Sequence, residues 1–409
     1  MKYKYLTLKY AAINAAFMFL LCATAGYAYN FLSQSGFSDG TTGIIITLVS
    51  LCGLIGQTLS GSLIDRLPNL TEKKFISGAM IVTAALALLM TIAPQGSILL
   101  SASVILCFTA AAIGMPFFNS MAFIYEKDGQ KINYGLGRGT GSAAYAIGSN
   151  VVGRLWGKFG KVVMPWYIIV FAIICLLLMQ LMPQPSAAVE KETEAAEAAA
   201  RKQSMSYGAF FKKYDKMILI AGAMILLYFC HMMINTYMAK VVGNILGEGA
   251  AVAGEVERVQ GNALFIAAMV ELPTMFLFSF IIKKIPVNNL MIIAGIGMTV
   301  KHALTWLCPN EITLYIVCFI QMFAYAVLAP ASVYFANENV AEEDRNKGQA
   351  LMGVTATVGG LLASLVGGQL FQYMSVPVVF GIGVAASAVG TVLMFIGISR
   401  IKASKASKA

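Results

Sequence analysis

Twelve apolar runs, each about long enough to cross a bilayer, fall into two batches of six around one long charged interval, Pro183 to Lys216. The first batch covers residues 10–32, 42–64, 75–93, 97–124, 133–156 and 164–182. The second covers 216–239, 260–282, 288–307, 312–336, 349–371 and 377–399. A hydrocarbon core of about 30 Å takes about 20 apolar residues at ~1.5 Å rise per residue, so these runs have the length of spanning helices. They are continuous rather than alternating, which excludes the strands of a membrane barrel, and lipid demands that every backbone polar group be satisfied internally.

The expected fold is therefore all-α, a polytopic membrane protein of twelve transmembrane helices in two six-helix halves. The halves are residues 1–182 and 216–399, with a cytoplasmic connecting loop over 183–215 and a cytoplasmic tail over 400–409. Composition agrees: with 58% hydrophobic and only 12% charged residues among 409, there are too few charges to solvate a globular surface. Short echoes suggest that one half duplicates the other. Gly141 and Gly148 in the fifth run have the spacing of Gly353 and Gly360 in the eleventh, and Gly153 matches Gly367 if a two-residue slip is allowed.

A net charge of +10 raises nucleic acid as a partner, but the basic residues are not clustered. Instead 23 of the 29 Lys and Arg fall at alternate ends of the runs, at 1–9, 66–74, 127–138, 191–216, 283–284, 345–347 and 400–408. That pattern excludes a nucleic-acid patch and, by the positive-inside rule, puts both termini in the cytoplasm of a multi-pass protein of the cell's inner membrane. The seven cysteines all lie in or beside apolar runs without CxxC spacing and read as packing residues. The basic start followed by an apolar run imitates a signal peptide, yet that run is longer than a signal core and reads as an uncleaved first helix. The interval 187–203, rich in Ala, Glu, Lys and Arg, reads as a solvated connector, and 243–258, with Glu248, Glu255 and Glu257, as an outer loop without chemistry.

Charges inside spans are costly and mark functional positions by default. Glu271 lies mid-span in Met269-Val270-Glu271-Leu272-Pro273, where the proline frees backbone groups, and a carboxyl at that depth can carry a proton. Lys301 in the ninth run lies at comparable depth. In the fifth, Arg138, Ser142, Tyr145 and Ser149 recur at four, three and four residues and so share one helical face. An Arg fork with an aromatic two turns along suits a hydroxylated ring, by paired hydrogen bonds to its edge and stacking on its apolar face. The competing reading makes Arg138 a boundary marker, with Asn133-Tyr134-Gly135 as loop. His231 and Asn235 share a face of the seventh run, as do Gln321 and Tyr325 of the tenth, and these read first as hydrogen-bonding glue between helices. No metal set, nucleophile–base arrangement or dinucleotide fingerprint is present, so the chain does not read as an enzyme and needs no cofactor.

At the inner end of the second run stands Gly61-Ser62-Leu63-Ile64-Asp65-Arg66, followed by Lys73 and Lys74. This resembles the loop signature of the major facilitator superfamily, in which the segment latches the two halves on the cytoplasmic side, so Gly61, Asp65, Arg66 and Lys73 are expected to form a cytoplasmic gate loop. The resemblance implies parallel six-helix repeats with a binding site near the membrane midplane, opened alternately to each side.

A narrower resemblance is to the lactose permease branch of sugar and nucleoside proton symporters. It is carried by Ala122-Phe123-Ile124 through Tyr134-Gly135, Arg138, Gly141 and Tyr145, by Glu271, and by Ala294-Gly295 through Met298, Val300 and Lys301. It implies substrate contacts from Arg138, Ser142, Tyr145, Glu271, Thr274 and Gln321, and proton coupling by Glu271 with Lys301. The family's fourth-helix acid falls on Met121, its tenth-helix His and Glu on Gln321 and Ala324, and its seventh-helix Asp positions on Met232 and Asn235. Its lactose specificity and proton site therefore do not carry over unchanged.

The function expected is import of a small polar, sugar-like or nucleoside-like solute by proton symport, with the proton gradient as driving force and a monomer in the lipid bilayer as the working unit. The alternatives are proton-antiport efflux of amphipathic or cationic compounds, and a non-transporting sensor or lipid-handling protein on the same scaffold.

Overall fold

The computed structural model describes residues 5–67, 70–127, 129–183 and 207–406, and for a few of these, 61–63 and 65–66 among them, the backbone alone. They form helices joined by short turns, with no strand among the described residues. Among the described residues ten helical stretches are long and apolar enough to cross a membrane. One of these, Tyr134–Leu181, holds two helices, α7 (Tyr134–Phe159) and α8 (Val163–Leu181), separated at Gly160, whose φ of 66° ends the first. Helix α13 (Val287–Trp306), which carries Lys301 and His302, is a further helix of 20 residues.

The chain divides into two compact units, Met1–Lys202 with Val252–Ala268, and Gln203–Ala251 with Met269–Ala409. These differ from the expected halves in one segment: Val252–Ala268 groups with the first unit, so the thirty-residue helix α12 (Glu255–Lys284) belongs to both.

In the first unit α1 (Leu6–Gly26) packs on α7 and α8, and α4 (Glu72–Ile92) on α5 (Ile98–Ile113) and α8. Helix α2 (Ala28–Gln34) follows α1 across a break at Tyr27, α3 (Asp39–Arg66) packs on α5, and α6 (Met115–Lys127) continues α5 past Gly114. The core is drawn from the helix faces that meet, with Tyr10, Phe17, Leu20, Met80, Phe118 and Ile168 among its members. Starts are set by side-chain caps: Thr71 accepts from the Lys74 amide, Ser97 from Leu100 and Asn133 from Leu136.

The second unit holds α9 (Tyr207–Lys213), α10 (Asp215–Thr236), α11 (Met238–Leu246), α13, α14 (Glu311–Cys318), α15 (Tyr325–Asn339), α16 (Arg345–Tyr373) and α17 (Val376–Ala406). Here α10 packs on α16 and α17, as α1 does on α7 and α8, around a core of Met224, Leu227, Met291, Met298 and Phe335.

The two units repeat one device. Each first span breaks at a buried tyrosine: Tyr27 donates its hydroxyl to Ser149 O at 2.6 Å, and Tyr237 donates to Ser364 O at 2.6 Å. The echoed glycines lie against those tyrosines: a Cβ on Gly153 would meet the Glu257 carbonyl first and stand 2.9 Å from Tyr27 Oη, and one on Gly367 would stand 2.8 Å from Tyr237 Cε2. Each fourth span also breaks, at Gly114 in the first unit and through a 3-10 turn, Phe319–Phe323, in the second.

Candidate functional site

The strongest concentration of buried charge lies in the second unit. Helix α12 brings Glu271, α13 brings Lys301, and the 3-10 turn between α14 and α15 brings Gln321. Gln321 joins the other two: its Nε2 donates to Glu271 Oε1 at 2.5 Å, and its Oε1 accepts from Lys301 Nζ at 2.5 Å. Among the described residues no direct ion pair links Glu271 to Lys301. The amide thus stands between anion and cation with its dipole aligned to both, as a glutamine can do because it offers a donor and an acceptor on one planar group. Lys301 and Gln321 are only 4% and 3% exposed, whereas Glu271 is half-buried.

The turn that places Gln321 depends on Gly297. A Cβ there would stand 2.8 Å from Phe323 O and 3.4 Å from Ala324 Cα, so only a glycine lets α13 approach the broken span closely. The Ala324 amide donates back to Gln321 O at 3.2 Å and closes the turn. Thr274, 6% exposed, follows Glu271 by three residues on α12, on the same side of the helix.

Gln321 and Tyr325 do not share a continuous helical face as the sequence spacing suggested, because the span is broken between them at Ala324, with φ −101° and ψ −102°. Tyr325 instead stacks on His231, ring centroids 5.0 Å apart, and His231 and Asn235 are hydrogen-bonded at 3.1 Å.

In the first unit, Arg138, Ser142 and Tyr145 lie along α7, all half-buried. Asn133 caps α7, so Arg138 stands in its second turn and the segment starting at Tyr134 is helix, not loop. Arg138 interacts electrostatically with Tyr10 of α1. Ser149 leaves this group: it is fully buried, its hydroxyl donates to Tyr145 O at 2.8 Å, and its carbonyl holds Tyr27. The fourth member of the expected face is therefore a packing residue.

For the gate loop, the side chains of Gly61, Asp65 and Arg66 lie outside the described residues. Lys73 is described, and both its hydrogen bonds stay within the first unit: it donates to Gln180 O at 3.1 Å and Met182 O at 2.9 Å. With Lys9, which donates to Leu181 O at 3.0 Å, it places cations on the carbonyl end of α8, where the helix dipole favours them.

Sequence reasoning missed two groups. Glu257, expected in an outer loop, lies in the first turn of α12 and is 3% exposed; it accepts from Asn30 Nδ2 at 3.0 Å and Gln34 Nε2 at 2.8 Å, all within the first unit. The second is a hydroxyl ladder in the second unit, Thr299 on α13 with Ser387 and Thr391 on α17, each contact 2.9 Å. The four-residue spacing of Ser387 and Thr391 was a signal that went unread.

A family model described as the MFS_1 like family matches residues 12–382. No curated protein matches the chain in sequence. Among solved structures, a point mutant of the nucleoside transporter NupG is similar at a TM-score of 0.79 and 13% identity, over 96% of this chain and 99% of that one. NupG itself is similar at 0.75 and 14%, over 96% and 98%. The peptide transporter POT in complex with sulfate is similar at 0.69 and 13%, over 97% and 95%. At these identities the likeness is one of fold.

Proposed function

As a member of the MFS_1 like family, the chain is a multi-pass membrane transporter rather than an enzyme, and we propose that it imports a small hydroxylated solute, sugar-like or nucleoside-like, by proton symport. The observation that carries the reading is the Glu271–Gln321–Lys301 bridge. A half-buried carboxylate held one amide away from a buried ammonium has two defined partnerships, and a proton on the carboxyl exchanges one for the other.

With Glu271 ionised, Gln321 carries the attraction between the two charges. With Glu271 protonated, the net charge of the group rises by one and the carboxyl is free to turn toward a solute. Proton and solute load from outside; release inside follows when Glu271 gives up its proton and the amide bridge re-forms. Only a ligand or proton that interacts differently with the two states can shift between them. Arg138, Ser142 and Tyr145 are assigned to solute recognition on the chemistry of a guanidinium fork and an aromatic ring. The nucleoside-like member of the substrate class is supported by the name of the neighbouring fold, a nucleoside transporter. The charge pattern supports an inner-membrane location with both termini cytoplasmic.

The test is uptake of radiolabelled nucleosides and hexoses into proteoliposomes with and without an imposed inward proton gradient. Accumulation above equilibrium is expected only with the gradient, and its loss is expected in Glu271→Gln. Equal accumulation under both conditions would exclude proton symport.

A further inference from the structure

The protein contains two histidines, and the fold brings them together. His231 on α10 and His302 on α13, 3% and 0% exposed, have ring centroids 5.8 Å apart. Each ring is held through one nitrogen: His231 Nε2 meets Asn235 Nδ2 at 3.1 Å, and His302 Nδ1 meets Ser387 Oγ at 2.9 Å. His231 Nδ1 and His302 Nε2 have no hydrogen-bond partner among the described residues. Buried polar atoms are seldom left unpaired, and two on facing rings require a reason.

Counting protons along the hydroxyl ladder fixes the state of one ring. Thr391 donates its only hydroxyl hydrogen to Gly295 O at 2.8 Å. For the remaining contacts all to be hydrogen bonds, Thr299 must donate to Thr391 and Ser387 to Thr299. Ser387 then has no hydrogen left, so His302 Nδ1 must donate to it, and His302 Nε2 carries a bare lone pair. On the other ring, the Asn235 amide donates to His231 Nε2, which leaves the hydrogen on Nδ1. One orphaned atom is therefore a donor and the other an acceptor.

We propose that His231 and His302 form a second proton-binding site, which takes one proton on His231 and holds the charged ring against His302. The loading step is balanced by turning one amide. A hydronium ion gives its proton to His231 Nε2, leaving water; one N–H bond forms, and Asn235 rotates so that its oxygen accepts that hydrogen. The His231 Nδ1–H donor and the bare His302 Nε2 are both present before loading; the charge on His231 strengthens that donor, and a shift of the ring closes its hydrogen bond to His302 Nε2 while His302 Nδ1–H stays on Ser387. Unloading reverses these steps and returns the proton to water.

The groups on the pair are Tyr325 on α15, which stacks on His231, Asn235 on α10, Ser387 on α17 and Lys301 on α13; Tyr228 lies against Tyr325, and Cys230 and Cys318 interact with Lys301. Glu271 reaches the group from α12 through Gln321. Lys301 interacts electrostatically with both rings, and its ammonium repels a further positive charge. Loading therefore competes with Lys301, which links this site to the Glu271 bridge and makes it a second carrier within the symport reading on which it rests.

Because there are only two histidines, nitrogen NMR of the full-length protein in lipid bilayers, labelled at histidine alone, resolves the site without any solute. At pH 8 His302 is expected with hydrogen on Nδ1 and none on Nε2, and Ser387→Ala should release that preference. Lowering the pH toward 5 should add one proton per pair of rings, at a higher pH in Lys301→Met than in wild type. A wild-type His302 with its hydrogen on Nε2, two rings that protonate independently, or two that stay neutral in both proteins would overturn the proposal and leave coupling to Glu271 alone. A loaded pair in a protein whose uptake ignores the proton gradient would confirm the site and sink the symport reading.

Discussion

At the scale of single residues, the bridge at Gln321 sets the most specific expectations. Gln321→Leu removes at once the partner of a buried ammonium and of a half-buried carboxylate, and each unmade hydrogen bond costs about 1–3 kcal/mol. The thermal unfolding midpoint in detergent should fall by several degrees, and gradient-driven uptake should be lost with it. Unchanged uptake in this variant would show that the amide is packing and not part of the coupling. Glu257 offers a contrast, because its carboxylate serves two amides that belong to the same compact unit. Glu257→Ala should cost about 1.5–3 kcal/mol, the range for hydrogen bonds to a charged group, measured as resistance to thermal or SDS unfolding. Glu271 and Lys301 were legible in the sequence because charge in a span is rare. Gln321 between them was legible only as a polar residue, because the partner of an amide is decided by chain segments distant in sequence.

Among the elements, the breaks matter more than the spans. Helix α13 touches the 3-10 turn only because residue 297 lacks a Cβ, and the obstacle to adding one is backbone, which cannot swing aside. Gly297→Val is expected to push the turn from α13, part Lys301 from Gln321, and reduce uptake at least as much as Gln321→Leu. A variant of wild-type activity and stability would show that the turn has slack. In the first unit a Cβ on Gly254 would run into the Gly157 backbone, and Gly254 holds φ at 78°. Gly254→Ala therefore combines a backbone clash with a conformation L-residues avoid, and should give a poorly folded or markedly less thermostable protein. Run length and hydropathy located the spans, but the breaks at Tyr27, Tyr237 and Ala324 left no composition signal, since apolar residues continue through them.

At the scale of the molecule, the repeated tyrosine device makes a symmetric expectation. Tyr27→Phe and Tyr237→Phe each delete one hydroxyl-to-carbonyl hydrogen bond of the same length in different units. Each should cost about 1 kcal/mol, and the double variant should show the sum, because sites without shared partners add. A double variant no weaker than either single one would deny that the two positions are equivalent. The six-plus-six layout was visible as run lengths, and the glycine echo of Gly153 with Gly367 pointed to the same duplication. That each of those glycines lies against the tyrosine of its own unit was decided by the fold.

The sequence by itself determined that this chain lies in a membrane as twelve helices in two batches, and it marked Glu271 and Lys301 as exceptional. Those conclusions rest on local physics: the length of apolar runs, the cost of charge in lipid and the distribution of basic residues about the runs. Only the tertiary structure decided that an amide joins the two charges, that Ser149 packs instead of binding, that Glu257 is buried, and that the two histidines face each other. Each of those facts depends on side chains from different helices meeting, and helical periodicity gives the face of a residue without naming what faces it.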